Sequence, residues 1–438
     1  MLPSPTAQPQ HHKTDSEQRN TLHARLRASR QQSLDLAAPL SDEDQTVQAM
    51  EDASPTKWHL AHTTWFYEAF LLRAHLPDYQ PFSDDFDYCF NSYYEAKGDR
   101  HPRPHRGLLT RPSASEVRDY RAHVDANLDR LFTQGLTRDA SDAVGALIEL
   151  GINHEQQHQE LLLTDILSLF ALNPLRPAYR RPQARPEEVK AEAPLEWIGF
   201  DGGIKTVGHD GQGFAYDNEG PRHDVLLQPF RLASRCVTNG EWLAFMQAGG
   251  YRDPMLWLAD GWTTVKTQDW SAPQYWEERD GVWHQMTSEG LVPVDPGGTV
   301  SNVSCIEAKA VAGWAGKRLP TEFEWEVASE GYAVEGNDLS TGALRPRPAT
   351  ATGNEGRLTQ MFGDVWEWTA SAYQPYPGYR AAPGAVGEYN GKFMVSQQVL
   401  RGGSCATAGG HVRATYRNFF FPHQRWQFTG LRLAEDAT

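Results

Sequence analysis

The chain has 438 residues, 39% hydrophobic and 22% charged, a globular composition too long for one hydrophobic core, so two or three domains are expected. Its 56 acidic against 41 basic residues give a net charge of −15, which argues against a protein built to grip phosphate backbones. The four cysteines (Cys89, Cys236, Cys305 and Cys405) lie far apart and form no C-x-x-C pair, so neither a disulfide framework nor a cysteine zinc site is suggested, and a reducing, cytoplasmic setting fits.

Residues 1–14 are polar with three prolines and are expected to be a disordered tail, where His11 and His12 read as solvated. From 15 to 172 the reading is helical, because apolar residues recur at three and four spacing with little Gly or Pro. Helices are predicted over 15–36, 41–52, 55–75, 113–134 and 138–172, with an irregular stretch over 76–112. Ser41 with Asp44 and Ser113 with Glu116 resemble capping boxes that open two of them. The most apolar run, Leu161 to Leu172, carries Asp165 and is too short to span a bilayer. A helix bundle with one long crossover is the economical assembly.

Residues 173–195 hold five prolines among many charges and read as an extended linker. Beyond it the composition changes. Of 14 Trp only Trp58 and Trp65 precede residue 196, and of 37 Gly only five do. Short apolar runs separated by Gly, Asn, Asp and Pro predict a loop-rich α+β domain over 196–438, packed on indole rings. Helical windows there are chiefly Asn239–Ala248, Cys305–Trp314 and Glu322–Glu330.

The strongest chemical signal is GINHEQQHQE, with His154 and His158 at i and i+4 inside the long helix. Residues so spaced point the same way from adjacent turns, so their imidazoles can converge on one cation. In SPTKWHLAHTTWFYE, Pro55 opens a helix on which His59 and His62 follow among Trp58, Trp65 and Phe66. Those aromatic neighbours mark a buried face, and a buried imidazole needs a partner. One histidine of this second pair would complete a three-nitrogen set. Three neutral imidazoles leave coordination positions open, as catalytic sites require, but they suit zinc, copper, iron and nickel alike. Glu155 and Glu160 project from other parts of the helix than the histidine stripe.

The motifs P-x-x-W-H-x-x-H (Pro55 to His62) and H-E-Q-Q-H-Q-E (His154 to Glu160) resemble the iron site of the ergothioneine-biosynthesis sulfoxide synthases. Those enzymes join a DinB-like helical bundle to a C-type-lectin-like domain of the formylglycine-generating-enzyme type. RLPTEFEWEVA (Arg318–Ala328), NEGRLTQMFGDVWEWTAS (Asn354–Ser371), LRGGS (Leu400–Ser404), TYRNFFFP (Thr415–Pro422) and GLRLA (Gly430–Ala434) are similar to landmarks of that second domain. The resemblance covers nearly the whole chain from about residue 15.

The resemblance implies Fe(II) bound by His62, His154 and His158, with His59 either packing beside them or supporting a ligand from behind. It implies O2 as co-substrate and a C–S bond joining C2 of the hercynine (Nα-trimethylhistidine) imidazole to a cysteine-type thiol, with oxidation to the sulfoxide. It implies that Arg103 and Arg106 hold the thiol donor's carboxylate, and guanidinium suits bidentate carboxylate binding. Gln157 and Asn418 match positions that touch hercynine, and Phe419 would lie near its trimethylammonium group, which a ring face attracts. A tyrosine hydroxyl is expected as proton donor, Tyr94 before Tyr93. Where several relatives carry an acid for the amino group of γ-glutamylcysteine, this chain has Phe420, so free cysteine is the expected donor. Near RGGS only Cys405 occurs, without the second thiolate of the formylglycine-generating enzymes, so it is read as a small buried hydrophobe. A DinB-type metal-dependent thiol S-transferase would use the same histidines without oxygen, but such a protein has no counterpart of TYRNFFFP. The oligomeric state, monomer or homo-oligomer, stays open.

Overall fold

The structure, a computed structural model, describes residues 15–133, 138–181, 194–350, 356–381, 387, 390–394 and 396–437. The tail expected over 1–14 and most of the proline-rich stretch lie outside these residues.

Four long helices form the N-terminal half: α1 (Asp15–Ala37), α2 (Thr56–Tyr67), α3 (Ala114–Thr133) and α4 (Arg138–Leu172). α4 packs against α1 and α2, and α2 also packs against α3. The segment predicted over 55–75 is one helical rod with a π-turn at Glu68–Leu72. At its start Glu68, fully buried, accepts hydrogen bonds from the hydroxyls of Tyr79 (2.5 Å) and Tyr120 (2.7 Å). Every residue of α2 is buried. Gly151 makes that possible where α4 crosses α2, because a Cβ there would lie 2.5 Å from a Tyr67 ring carbon.

The helix expected over 41–52 does not form; the segment is a run of turns. The reciprocal Ser41–Asp44 hydrogen bonds are present, both at 3.1 Å. The side chains of Gln45 and Gln48, however, donate to the carbonyls of Leu40 and Ala53. With Val47 half exposed, no apolar stripe favours a helix over these local bonds.

The C-terminal half is built from small sheets. β1 (Trp197–Phe200), β4 (Phe230–Ala233) and β12 (Ala434–Asp436) form one, while β2 (Gly203–Val207) and β3 (His223–Leu227) form a hairpin. β5 (Trp276–Arg279), β6 (Val282–Thr287) and β7 (Gly290–Pro293) form a meander. The central sheet runs in the order β10 (Asn418–Phe420), β9 (Gln398–Arg401), β8 (Trp366–Ala372), β11 (Thr429–Gly430). Helices α5 (Asn239–Gln247), α6 (Ala259–Thr267), α7 (Cys305–Trp314) and α8 (Glu322–Ser329) surround these sheets. Thr238 with Glu241, Ser304 with Glu307 and Thr321 with Glu324 form capping boxes on α5, α7 and α8. α6, which carries Gly261, was not among the windows expected from sequence. Trp242, Trp325 and Trp368 are fully buried, as an indole-packed domain requires.

The halves share a core. Leu162, Leu163, Ile166, Leu167 and Phe170 of α4 pack with Met286, Leu344, Cys405 and Phe428. Burial of those five α4 side chains contributes on the order of 10 kcal/mol, so the domains do not behave as beads on a string. The first residues of the expected linker are docked as well: Tyr179 donates to the Leu36 carbonyl at 2.7 Å, and Arg176 pairs with Glu277 at 2.9 Å. Among the described residues no helix is long and apolar enough to cross a membrane.

Candidate metal centre

His62 from α2 and His154 and His158 from α4 converge, with one ring nitrogen from each lying within 4.8 Å of the others. Nε2 of His62 is 3.2 Å from Nε2 of His154. Two nitrogens about 2.1 Å from one ion and at right angles would be about 3.0 Å apart, so the spacing suits a shared cation. Nδ1 of His62 donates to the Phe90 carbonyl at 2.6 Å, which fixes the proton there and leaves Nε2 bare. Trp58 stacks on the His62 ring at 4.7 Å, and Phe66 lies 4.8 Å from that of His154. Burial pushes His154 down to about 3, and burial reinforced by the neighbouring imidazoles pushes His62 and His158 well below the usual histidine value. All three therefore present lone pairs at neutral pH, and an ion between them would satisfy polar atoms otherwise turned on one another.

The remaining letters of HEQQHQE bind the frame. Burial raises the Glu155 carboxyl but Arg121 and Arg30 outweigh it, so it is held below the usual range; it also accepts from Ser33 at 2.7 Å. Glu160 crosses to the other domain and accepts from Ser404, from Thr407 (2.6 Å) and from the Trp366 indole (2.9 Å). Gln156 meets His411 at 3.1 Å, and Gln157 donates to the Tyr416 hydroxyl at 2.6 Å. Two helical turns thus bring His154 and His158 to His62 while the residues between and after them pin the bundle and the second domain around the cluster. Neither glutamate reaches the histidine cluster.

The other residues singled out from sequence divide into groups. Arg106 is buried under 3% exposure; its guanidinium lies 3.4 Å over the Trp58 ring and donates to Ser54 (2.9 Å) and Ser92 (3.1 Å). Among the described residues no carboxylate pairs with it, and burial holds its pKa well below the usual arginine value. Arg103 is exposed and turned away, donating to the Asp52 carbonyl. Tyr94 is buried between Trp65 and Phe70, and Tyr93 stacks on it at 4.6 Å while meeting Phe393 of the other domain edge-on. Asn418, Phe419 and Phe420 form β10, so alternation separates Phe419 from the other two. Phe419 stacks on Tyr373 at 4.1 Å, while Phe420 packs towards Trp426.

Sequence reasoning missed several partners. Tyr416 stands inside TYRNFFFP, yet only the fold sets its hydroxyl between Gln157 and His411 (3.3 Å). His411 carries no local signal, and the sequence sets Glu160 off the histidine stripe without revealing its partners in the other domain. His59 emerges one turn before His62, with Nδ1 2.8 Å from Nδ1 of His158 and Nε2 3.0 Å from Asp165. Cys405 is fully buried in the shared apolar cluster, which pushes its thiol well up.

Comparison with known proteins agrees with this architecture. Residues 25–162 match the DinB superfamily, and residues 182–350 and 340–437 match the sulfatase-modifying factor enzyme 1-like domain. A hercynine oxygenase of Mycolicibacterium smegmatis is 34% identical over 96% of this chain and 99% of its own length. One from Mycobacterium tuberculosis is 34% identical over 87% of this chain and 91% of its own. Ergothioneine biosynthesis protein 1 of Schizosaccharomyces pombe is 28% identical over 51% of this chain and 28% of its own.

Proposed function

Starting from the fact that the chain belongs to the hercynine oxygenase family, a DinB helical domain followed by a C-type-lectin-like domain, we propose that it is an Fe(II)-dependent sulfoxide synthase of ergothioneine biosynthesis. It joins hercynine to free cysteine. The balance is one imidazole C–H, one thiol and one O2 giving the C–S bond, the sulfoxide oxygen and one water. O2 accepts four electrons, two on forming C–S and two on oxidising sulfur.

The observation that carries this reading is the buried, neutral three-histidine cluster at the junction of the two domains. His62, His154 and His158 would hold the iron, which supplies thiol activation and O2 chemistry when bound. Arg106, a buried cation with no acid partner among the described residues, would take the cysteine carboxylate and so orient the thiol. The exposed Arg103 would need to swing from the Asp52 carbonyl to assist. Gln157 and Asn418 would contact hercynine. The Phe419 side of β10, with Tyr373 and Phe393, offers aromatic surface to its quaternary ammonium. Phe420 gives no charge to pair with the extra amino group of γ-glutamylcysteine. Tyr94, or Tyr93 stacked on it, would deliver the proton.

The test is anaerobic reconstitution with Fe(II), then oxygen uptake with hercynine and cysteine together, with mass detection of the sulfoxide. Uptake that needs both substrates is expected. No uptake, with thiol transfer restored by Zn(II), would refute the reading.

A further inference from the structure

Behind the three histidines runs a second line of hydrogen bonds. His59 is buried, with Nδ1 2.8 Å from Nδ1 of His158 and Nε2 3.0 Å from Oδ2 of Asp165. Asp165 follows His158 by seven residues on α4, two turns along the same stripe. It is itself held, because the Ser54 backbone N–H donates to its Oδ2 at 2.8 Å. Among the described residues no lysine or arginine pairs with it, so its one side-chain partner is His59.

The partner types fix the tautomers. A carboxylate only accepts, so His59 carries its proton on Nε2. Its Nδ1 is then a lone pair that only a proton on Nδ1 of His158 can meet. Nε2 of His158 is left bare, the form a metal requires.

We propose that His59 and Asp165 are positioning residues for the metal: the series Asp165, His59, His158 locks the tautomer and ring orientation of His158 from a carboxylate two rings away. This rests on the reading of His62, His154 and His158 as ligands. It explains why a buried aspartate and a fourth histidine occupy the α2–α4 seam, where apolar side chains would pack without the need for partners.

Full-length, metal-stripped protein is titrated with Co(II), following visible absorption and competition with a chelator. Asp165→Asn and His59→Asn should each weaken Co(II) binding about ten- to hundredfold and shift the ligand-field bands, while the thermal midpoint of the metal-free protein stays near wild type. His59→Asn keeps an acceptor beside His158 but cannot reach Asp165, so the two variants probe different links and misfolding of one leaves the other. Wild-type affinity and bands in either folded variant would overturn the proposal. So would a loss of affinity that merely tracks a lower midpoint of the metal-free protein. Sulfoxide formation by the wild-type protein is scored separately. Its absence alongside normal Co(II) binding would sink the reaction and leave the relay standing, whereas normal turnover with unchanged variant binding would sink the relay alone.

Discussion

Replacing Arg106 by methionine should separate stability from function. The guanidinium is 3% exposed, and among the described residues Nε has no hydrogen-bond partner while its other nitrogens meet only the Ser54 and Ser92 hydroxyls. An unpaired buried cation is a cost to the folded state, and exchange for an apolar side chain of similar size typically yields about 1–4 kcal/mol. Against this stand two hydrogen bonds of about 1 kcal/mol each and a cation–π contact with Trp58 of about 1–2 kcal/mol. The net for the metal-free protein lies between about 3 kcal/mol less stable and about 1 kcal/mol more stable than wild type. The cost should appear in thiol binding. Loss of about 3 kcal/mol of charge-assisted bonding to a carboxylate raises the KM for cysteine about 150-fold. Urea unfolding of the metal-free protein gives the first quantity, and oxygen uptake at varied cysteine gives the second, with the KM for hercynine as control. A variant destabilised by more than about 3 kcal/mol with an unchanged KM for cysteine would show that Arg106 is a strut of the core, not a receptor for substrate.

Removing the interdomain clamp with Glu160→Ala strands the Trp366 N–H and two hydroxyls in the interface and should cost about 3–5 kcal/mol by calorimetry, while Glu160→Gln, which keeps an acceptor, should cost far less. Gly151→Ala drives a methyl into the immobile Tyr67 ring, so α2 and α4 must part; a loss of about 2–3 kcal/mol and weaker Co(II) binding are expected, and unchanged binding would count against a rigid seam. His154 and His411 are pushed down to about 3 from 6.5 by burial. The unfolded chain therefore takes up protons first, and stability present at pH 7 is lost as pH falls from 6.5 towards 3, by about 2 kcal/mol per imidazole at about pH 5. Urea midpoints of metal-free protein that stay flat between those values would contradict this. Tyr94→Phe should divert turnover from sulfoxide to oxidised thiol, read by mass spectrometry; an unaltered sulfoxide yield would remove Tyr94 as proton donor.

The sequence alone determined the two architectures and the convergence of His154 and His158, because both are written in local spacing; that His62 and not His59 completes the three-nitrogen cluster was decided by the fold. An i, i+4 pair on an uninterrupted helix converges whatever surrounds it, and α4 covers 138–172 as its apolar periodicity predicts. The shift to Gly and Trp after residue 195 likewise marks a loop-rich domain. Propensity failed at 41–52, where glutamine side chains compete for the backbone, and strand alternation parted Phe419 from Asn418 and Phe420. Only tertiary structure decided what each polar residue meets across the domains. Arg103 and Arg106 look alike in sequence, yet one is solvated and the other buried against Trp58. Glu160, two residues after His158, faces away from it and fastens Ser404 and Thr407, more than two hundred residues along the chain. Such pairings depend on which surfaces the shared apolar core brings together, and no short-range spacing encodes that.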